Sequence, residues 1–305
     1  MSSVAPNPET GDLPILLTGG TGQVGAALRR LSGPGFQIHA PGRDQLDLRD
    51  CDQIAAMVAS RPWRAVINSG AYTAVDKAEH DVESAWAINA KAPAALARAT
   101  AQAGIPLIHL STDFVFGGTK STPYEEMDII GPLGVYGASK AAGESSVQSE
   151  NPKHLILRTA WLVSPDGGNF VKTMLRLAKT LDEVSVVNDQ LGCPTSADDL
   201  ANVLRRVLWR LEAESPPYGI YHLVNSGEAT WHDLAKAVFD QAQAAGYKVP
   251  VLKAIPTSGY PTPARRPVNS RLDTKKLRRD FGVSLRPWQE AVSDVVAALL
   301  AQPTR

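Results

Sequence analysis

Cysteine is scarce in this chain. Its 305 residues hold two, Cys51 and Cys193, too few for a disulfide framework and in no metal-ligand spacing. Both are expected to be free thiols in a reducing compartment. Net charge is missing as well. Lys plus Arg and Asp plus Glu each number 31, which favours neither a nucleic-acid groove nor an acidic membrane surface as partner. The short runs "LRR", "ARR" and "KKLRRD" read as solvated helix faces. No apolar run approaches the ~20 residues that span a bilayer. The opening "MSSVAPNPETGDLP" has neither the charged nor the apolar segment of a secretion signal, and 1–12 reads as a disordered tail. A cytoplasmic protein is expected, with no nucleic-acid or membrane partner. The six histidines (His39, His80, His109, His154, His222 and His232) show no H-x-x-x-H spacing. No zinc site is therefore expected, and no acidic cluster recommends itself for magnesium, so the metal expectation is none. His109, in mid-strand, reads as a packed core residue.

What is present is apolar material, 44% of the chain, enough for one large domain or two smaller ones. Short apolar runs at 15–17, 36–40, 64–71, 105–112 and 154–162 alternate with helical patterns at 23–31, 49–60, 82–104 and around Tyr136. This alternation predicts an α/β fold with a doubly wound, Rossmann-type parallel sheet covered on both faces. Pro93 predicts a kink or break inside 82–104, and Gly104 a left-handed cap. The second half is less regular. It reads as a helix at 169–181, a strand at 184–187, a helix near 197–212, a strand at 219–224 and a helix at 230–242 opened by a threonine cap. The Pro- and Gly-rich 256–270 suits a binding loop. No linker divides the chain. The organisation therefore reads as a nucleotide-binding domain over 13–160, with 184–188 and 197–225 returning to it. A smaller, discontinuous substrate-binding domain is read from 161–183, 189–196 and 226–305.

The stretch "LLTGGTGQVGAAL" puts Gly19, Gly22 and Gly25 between the first strand and the first helix, with Gln23 and Val24 opening that helix. Glycines there allow a tight turn, close approach to a pyrophosphate, and a helix N-terminus whose free N–H groups attract anions. The end of the second strand separates NAD from NADP, since an acid there binds a ribose 2′-hydroxyl and a cation a 2′-phosphate. The chain reads "HAPGRDQLDL". Arg43 favours NADPH, while Asp44 turned inward would admit NADH.

In "GVYGASKAAGE", Tyr136 and Lys140 lie four positions apart, hence on one helix face. A free phenol has a pKa near ~10. A nearby ammonium and an oxidised nicotinamide would lower it into working range, and small neighbours would let the helix lie close to cofactor and substrate. Taken alone, such a pair also fits an ordinary helix surface.

With "HLSTDFVFGG" between them, these motifs make the chain resemble the short-chain dehydrogenase/reductase family. Thr18, Gly19, Gly22 and Gly25 match its first motif, Thr112 (with Ser111 beside it) its second, and Tyr136 with Lys140 its third. The length resembles the extended branch, which acts largely on nucleotide sugars. "AYTAVDKAE", "PLGVYGASKAAGE", "ILRTAWL", "NFVKTMLRLA", "NDQLGCPT" and "RRPVNSRLDTKKL" follow in the order seen in dTDP-4-dehydrorhamnose reductases, which the chain resembles over about 13–300.

The resemblance implies NADPH-dependent reduction of a 4-keto nucleotide sugar for surface polysaccharide synthesis. Tyr136 would be the proton donor, Lys140 the anchor of the nicotinamide ribose, and Thr112 the partner of the sugar carbonyl, helped by Asp113. Trp161 would line the sugar pocket, or else be a core aromatic; Asp113 could equally cap a loop. Ala71, Tyr72 and Thr73 would meet the middle of the cofactor, and Asp47 and Leu48 the adenine. Asn188, Asp189 and Gln190 would support the pocket wall through polar contacts, or else form an Asx turn. Arg266, or Arg265, suits a diphosphate clamp, or a solvated arginine. A homodimer is left open. Two rivals stand beside this reading. One is an epimerase or dehydratase with bound NAD. The other is a non-catalytic NADP-binding regulatory subunit, like a relative in methionine adenosyltransferase.

Overall fold

The structure is a computed structural model that describes residues 13–301, so the tail expected over 1–12 lies outside the described residues. Up to residue 160 the chain forms β1 (Ile15–Thr18), α1 (Gln23–Arg30), β2 (Ile38–His39), α2 (Cys51–Ala59) and β3 (Ala65–Asn68). Then come the short α3 (Val75–Ala78) and α4 (Val82–Trp86), a π-turn (Ala87–Lys91), α5 (Ala92–Gln102), β4 (Leu107–Thr112), α6 (Val135–Glu150) and β5 (His154–Thr159). Beyond it run β6 (Leu162–Val163), α7 (Phe170–Ala178), β7 (Glu183–Val187), β8 (Leu191–Gly192), β9 (Thr195–Ser196) and α8 (Ala197–Arg210). β10 (Gly219–His222), β11 (Ala229–Thr230), α9 (Trp231–Ala244), β12 (Val251–Ile255), α10 (Lys275–Phe281) and α11 (Trp288–Leu300) follow.

Six strands pair in parallel in the order β10-β5-β4-β3-β1-β2. Every residue of β1, β3 and β4 is buried, as strands covered on both faces require. Side chains alternate between two cores. Ile15, Leu17, Val24, Leu28, Leu200 and Leu204 share one face with α1 and α8, while Leu16, Ile54, Val58, Val66 and Leu96 share the other with α2 and α5. The chain steps from β1 to β2 on one side and to β3 on the other. The connections after β1 and β3 therefore diverge and open a crevice at their C-terminal ends.

Local signals behave as their chemistry demands. Asp50 caps α2 by accepting from the Asp52 and Gln53 amides, and Thr230 with Asp233 forms a capping box on α9. Gly104 ends α5 at φ 69°. In place of a break at Pro93, residues 82–102 stay helical and the irregularity is a π-turn just before the proline. The π-turn joins α4 to α5, and the proline sits in the first turn of α5, where its missing N–H costs nothing.

Two segments depart from the expected division. β7 does not return to the main sheet; it pairs with β12. Val184 and Val186 face a second core with Val171, Met174, Leu234, Val238, Trp288 and Val292. Its burial alternates, with Glu183 and Ser185 exposed, the pattern of a strand covered on one face and unlike the buried central strands. Conversely, Leu277, Val283 and Leu285 join the core of the main sheet, so α10 and the turn after it pack there.

Candidate functional site

The crevice widens into a cleft of about 880 Å³ lined by both halves of the molecule. Gly19, Gly22, Gln23, Val24, Arg43, Asp47, Leu48, Ala71, Tyr72, Thr73, Thr112, Asp113, Tyr136, Lys140, Trp161 and Arg266 all line it, whereas Gly25 and Asp44 do not.

At one end is the glycine turn. Gly19 adopts φ 72°, and a Cβ there would lie 2.5 Å from the amide of Gly70. A Cβ on Gly25 would lie 2.1 Å from the Gly19 carbonyl oxygen. Gly25 thus lies beneath the turn and lets α1 seat against it. Gly22, extended, precedes α1, whose first turn has no side-chain cap and no acidic residue. Its amides are free for an anion, and this backbone cradle fits a pyrophosphate. The Gln23 side chain accepts from Asn169 at 3.0 Å, which ties the segment before α7 to the cradle.

Beyond the turn, Arg43 is exposed on the rim and forms none of the ion pairs found among the described residues. Asp47 is held by Arg49 at 2.6 to 3.1 Å, and this hydrogen bonding pulls its carboxyl down to about 2. With Asp44 outside the cleft and Asp47 neutralised by Arg49, the rim presents guanidinium groups, which suits a phosphate.

At the other end, Tyr136 enters the cleft from the first turn of α6. Glu79 caps that helix by accepting from the Val135 amide at 2.9 Å. A Cβ on Gly137 would lie 2.2 Å from the Phe114 carbonyl oxygen, so the small residue brings the helix onto the Thr112–Phe114 turn. The Tyr136 ring meets Phe114 edge-on at 5.5 Å. Burial pushes its phenol up to about 12, with the hydrogen bond to Thr112 acting downward and the charge of Asp113 upward. The expected lowering by Lys140 is absent from this balance. The Lys140 ammonium instead donates to the Leu110 carbonyl at 2.6 Å and lies 3.4 Å from His109 Nε2. The phenol therefore keeps its proton at neutral pH.

Thr112 donates its hydroxyl to Asp113 Oδ1 at 2.9 Å. Asp113 is 2% exposed, and burial pushes its carboxyl up to about 6 against the hydrogen bonding of Ser270 and Thr112. Asp113 Oδ2, Ser111 Oγ and Thr159 Oγ1 are buried without partners among the described residues, and all three residues line the cleft. Buried polar atoms are normally paired; three orphans in one wall mark where a polar ligand belongs.

The facing wall is aromatic. Trp161 sits at φ 46° and stacks on Trp231 with ring centroids 3.6 Å apart. A Cβ on Gly192 would lie 2.3 Å from that indole. Behind it, Gln190 accepts from Trp231 Nε1 at 3.1 Å and donates to Thr257 Oγ1 at 3.0 Å. Asp189 accepts from the Thr257 amide and hydroxyl. At the mouth, Arg266 donates to Asp76 at 2.7 and 3.0 Å, so its fork is already engaged. Arg265 does not line the cleft.

A family model described as the RmlD substrate binding domain matches residues 13–301. The dTDP-4-dehydrorhamnose reductase of Sinorhizobium fredii is 46% identical over 293 residues, 94% of this chain and 98% of its own. This chain belongs to the dTDP-4-dehydrorhamnose reductase family. A solved reductase of this family from Clostridium acetobutylicum superposes with a TM-score of 0.88 at 36% identity, covering 94% of this chain and all (100%) of its own. One from Bacillus anthracis, solved in complex with NADP, gives 0.87 at 33% identity over 94% and 99% of the two chains.

In this member of the reductase family, several residues of the site carry no signal that sequence reading picks up. Asn89 on the π-turn accepts from the Tyr72 amide at 2.8 Å and donates to the Tyr72 carbonyl and Ser139 Oγ at 3.1 Å. It fixes the Ala71–Thr73 segment; its only local sign is the break expected near Pro93. Arg49 hides in "DLRD". Trp231, the first residue of α9, has no periodic signal, because its partner Trp161 comes from the turn between β5 and β6.

Proposed function

We propose that the chain uses NADPH to reduce the 4-keto group of dTDP-4-dehydro-L-rhamnose, giving dTDP-L-rhamnose for surface polysaccharide synthesis. The observation that carries this reading is one cleft with an anion cradle and a guanidinium rim at one end and Thr112, Asp113 and Tyr136 together at the other. The division into a cofactor-holding part over 13–160 and a sugar-holding part from the later segments belongs to the same reading. So does action in the cytoplasm; no helix among the described residues is long and apolar enough to cross a membrane.

The cradle of Gly19, Gly22, Gln23 and Val24 would hold the pyrophosphate, and Arg43 with Arg49 a 2′-phosphate. Asp47 and Leu48 would flank the adenine, Ala71, Tyr72 and Thr73 the middle of the cofactor, and Lys140 the nicotinamide ribose. Bound there, NADPH supplies a hydride to the carbonyl carbon. Tyr136 holds a proton at Oη and gives it to the carbonyl oxygen as negative charge grows there. A phenol that stays protonated at neutral pH is suited to that direction of reaction. Thr112 steadies the same oxygen by turning its single hydroxyl hydrogen from Asp113 Oδ1 to it, and Asp113 offers its unpartnered Oδ2 to a sugar hydroxyl. Trp161 faces the sugar ring, and Arg266 takes the diphosphate by sharing or trading Asp76.

Supplying dTDP-4-dehydro-L-rhamnose and following the loss of NADPH absorbance tests the reading directly. Tyr136→Phe should lose about 10²- to 10⁴-fold in turnover, the usual worth of a general acid, while binding NADPH as before. A wild-type chain that consumes no NADPH would sink the assignment. A Phe variant within a few-fold of wild type would remove Tyr136 as proton donor.

A further inference from the structure

A row of buried polar side chains crosses the sheet beneath the cleft. Thr18, Asn68 and His109 are register neighbours on β1, β3 and β4, and each is at most 2% exposed. Thr18 Oγ1 lies 2.6 Å from Asn68 Oδ1, Asn68 Nδ2 lies 3.0 Å from His109 Nδ1, and His109 Nε2 lies 3.4 Å from Lys140 Nζ. The row thus starts under the glycine turn and ends on the lysine.

The count of donors and acceptors fixes its sense. If Asn68 donates to His109 Nδ1, the neutral ring must carry its proton on Nε2, which then points an N–H at an ammonium that can only donate. Turning the Asn68 amide end for end, a change of assignment between nitrogen and oxygen, removes the conflict. Asn68 Oδ1 then accepts from His109 Nδ1–H, and Asn68 Nδ2 donates to Thr18 Oγ1. The Nε2 lone pair then faces Lys140. Lys140 forms none of the ion pairs among the described residues, and Glu144 spends its carboxylate on Arg158 at 2.7 to 3.2 Å. Among the described residues, Leu110 O and His109 Nε2 are the only acceptors within hydrogen-bond reach of the buried ammonium.

We propose that His109 is a positioning residue that, as the neutral Nδ1–H tautomer, holds the Lys140 ammonium through its Nε2 lone pair, with Asn68 and Thr18 fixing that tautomer. Its bearing on turnover rests on the reductase reading above. The surroundings leave His109 this role. α6 itself presents Tyr136 and Glu144 near Lys140, the turn after β4 presents Asp113, and β5 presents Arg158, already bound to Glu144. The buried residues of α3, α4, the π-turn and α5 are uncharged, and Glu79 is committed to the start of α6. Burial holds His109 well below its usual range, helped by the charge of Lys140. Burial also brings Lys140 down to about 8, against the pull of Glu144, so loss of one acceptor matters near working pH.

Two measurements test the proposal. In histidine-labelled chain at pH 7, the nitrogen NMR signals that disappear in His109→Gln should be those of a neutral ring protonated on Nδ1. A His109 ring protonated on Nε2, or on both nitrogens, overturns the proposal whether or not the chain reduces any sugar. In the NADPH assay, His109→Leu should move the alkaline limb of the kcat/KM profile to lower pH by about one unit, about tenfold in the acid constant, the worth of a hydrogen bond to a charged group. His109→Gln, which restores an acceptor oxygen, should bring most of it back. Limbs that coincide in all three proteins, or a Gln variant displaced as far as Leu, overturn the proposal. A chain with the expected tautomer but no turnover would instead count against the reductase reading alone.

Discussion

Replacing Asp113 by Asn changes one heavy atom in a side chain that is 2% exposed and leaves an acceptor for the Thr112 hydroxyl. The carboxyl it removes is pushed from an ordinary 3.8 up to about 6, chiefly by burial. A raised carboxyl means that the folded chain holds the proton more tightly than the unfolded chain between about pH 4 and 6. Stability conferred on the folded state therefore falls as pH rises through that window, and the whole cost is present above it. A rise from 3.8 to about 6 makes the acid roughly a hundredfold weaker, and at about 1.36 kcal/mol for each tenfold this comes to about 3 kcal/mol. Asp113→Asn lacks the charge and escapes that cost. The variant should be more stable than wild type by up to about 3 kcal/mol at pH 7.5, with the gain shrinking to nearly nothing by about pH 4. Urea unfolding of both proteins, without nucleotide, at several pH values between these limits measures the difference through the midpoint at equal slope. The same variant should bind the sugar nucleotide more weakly, since Oδ2 no longer accepts. A gain that does not depend on pH, or a loss of stability at pH 7.5, would refute the reasoning, because either result means the buried carboxylate is not strained in the free protein.

Two further substitutions address the cofactor end. Gly25→Ala places a methyl 2.1 Å from the Gly19 carbonyl oxygen, backbone against side chain with no rotamer to relieve it. It should cost about 1–3 kcal/mol in stability and weaken NADPH binding at least tenfold by calorimetry; unchanged affinity would mean the turn is not the cradle. Arg43→Ala should raise the Kd for NADPH by about 10- to 100-fold, the worth of a charge-assisted hydrogen bond, and leave NADH nearly unaffected. Equal loss for both nucleotides would show that Arg43 does not read the 2′-phosphate.

The parts of the molecule legible in sequence are those whose cause is local. The apolar runs of β1, β3 and β4, the glycine turn, the Thr230 cap and the left-handed Gly104 all follow from neighbouring residues, and the structure has each in place. β7 misleads because a valine-rich run looks alike at a sheet centre and in a two-stranded ribbon; only the exposed Glu183 and Ser185 distinguish them. His109 reads as packing, and it is fully buried, yet its contacts with Asn68 and Lys140 come from residues 41 and 31 positions away. Asn89 and Trp231 are invisible for the same reason. Arg266 is legible by its chemistry alone, and nothing local announces that Asp76 already holds it. The expected tuning of Tyr136 by Lys140 fails for a different cause: sharing a helix face brings two side chains near each other, but the lysine turns to the Leu110 carbonyl.

The aromatic wall has a consequence for how such a chain can diverge. Trp161 occupies the space a side chain at position 192 would need and supplies the face on which Trp231 rests. A descendant that adds a side chain at 192 must surrender the indole at 161, and one that shortens 161 leaves Trp231 uncovered. The three positions are sterically coupled. Preference for a ligand in front of that wall should therefore change in jumps, through paired or triple exchanges at 161, 192 and 231.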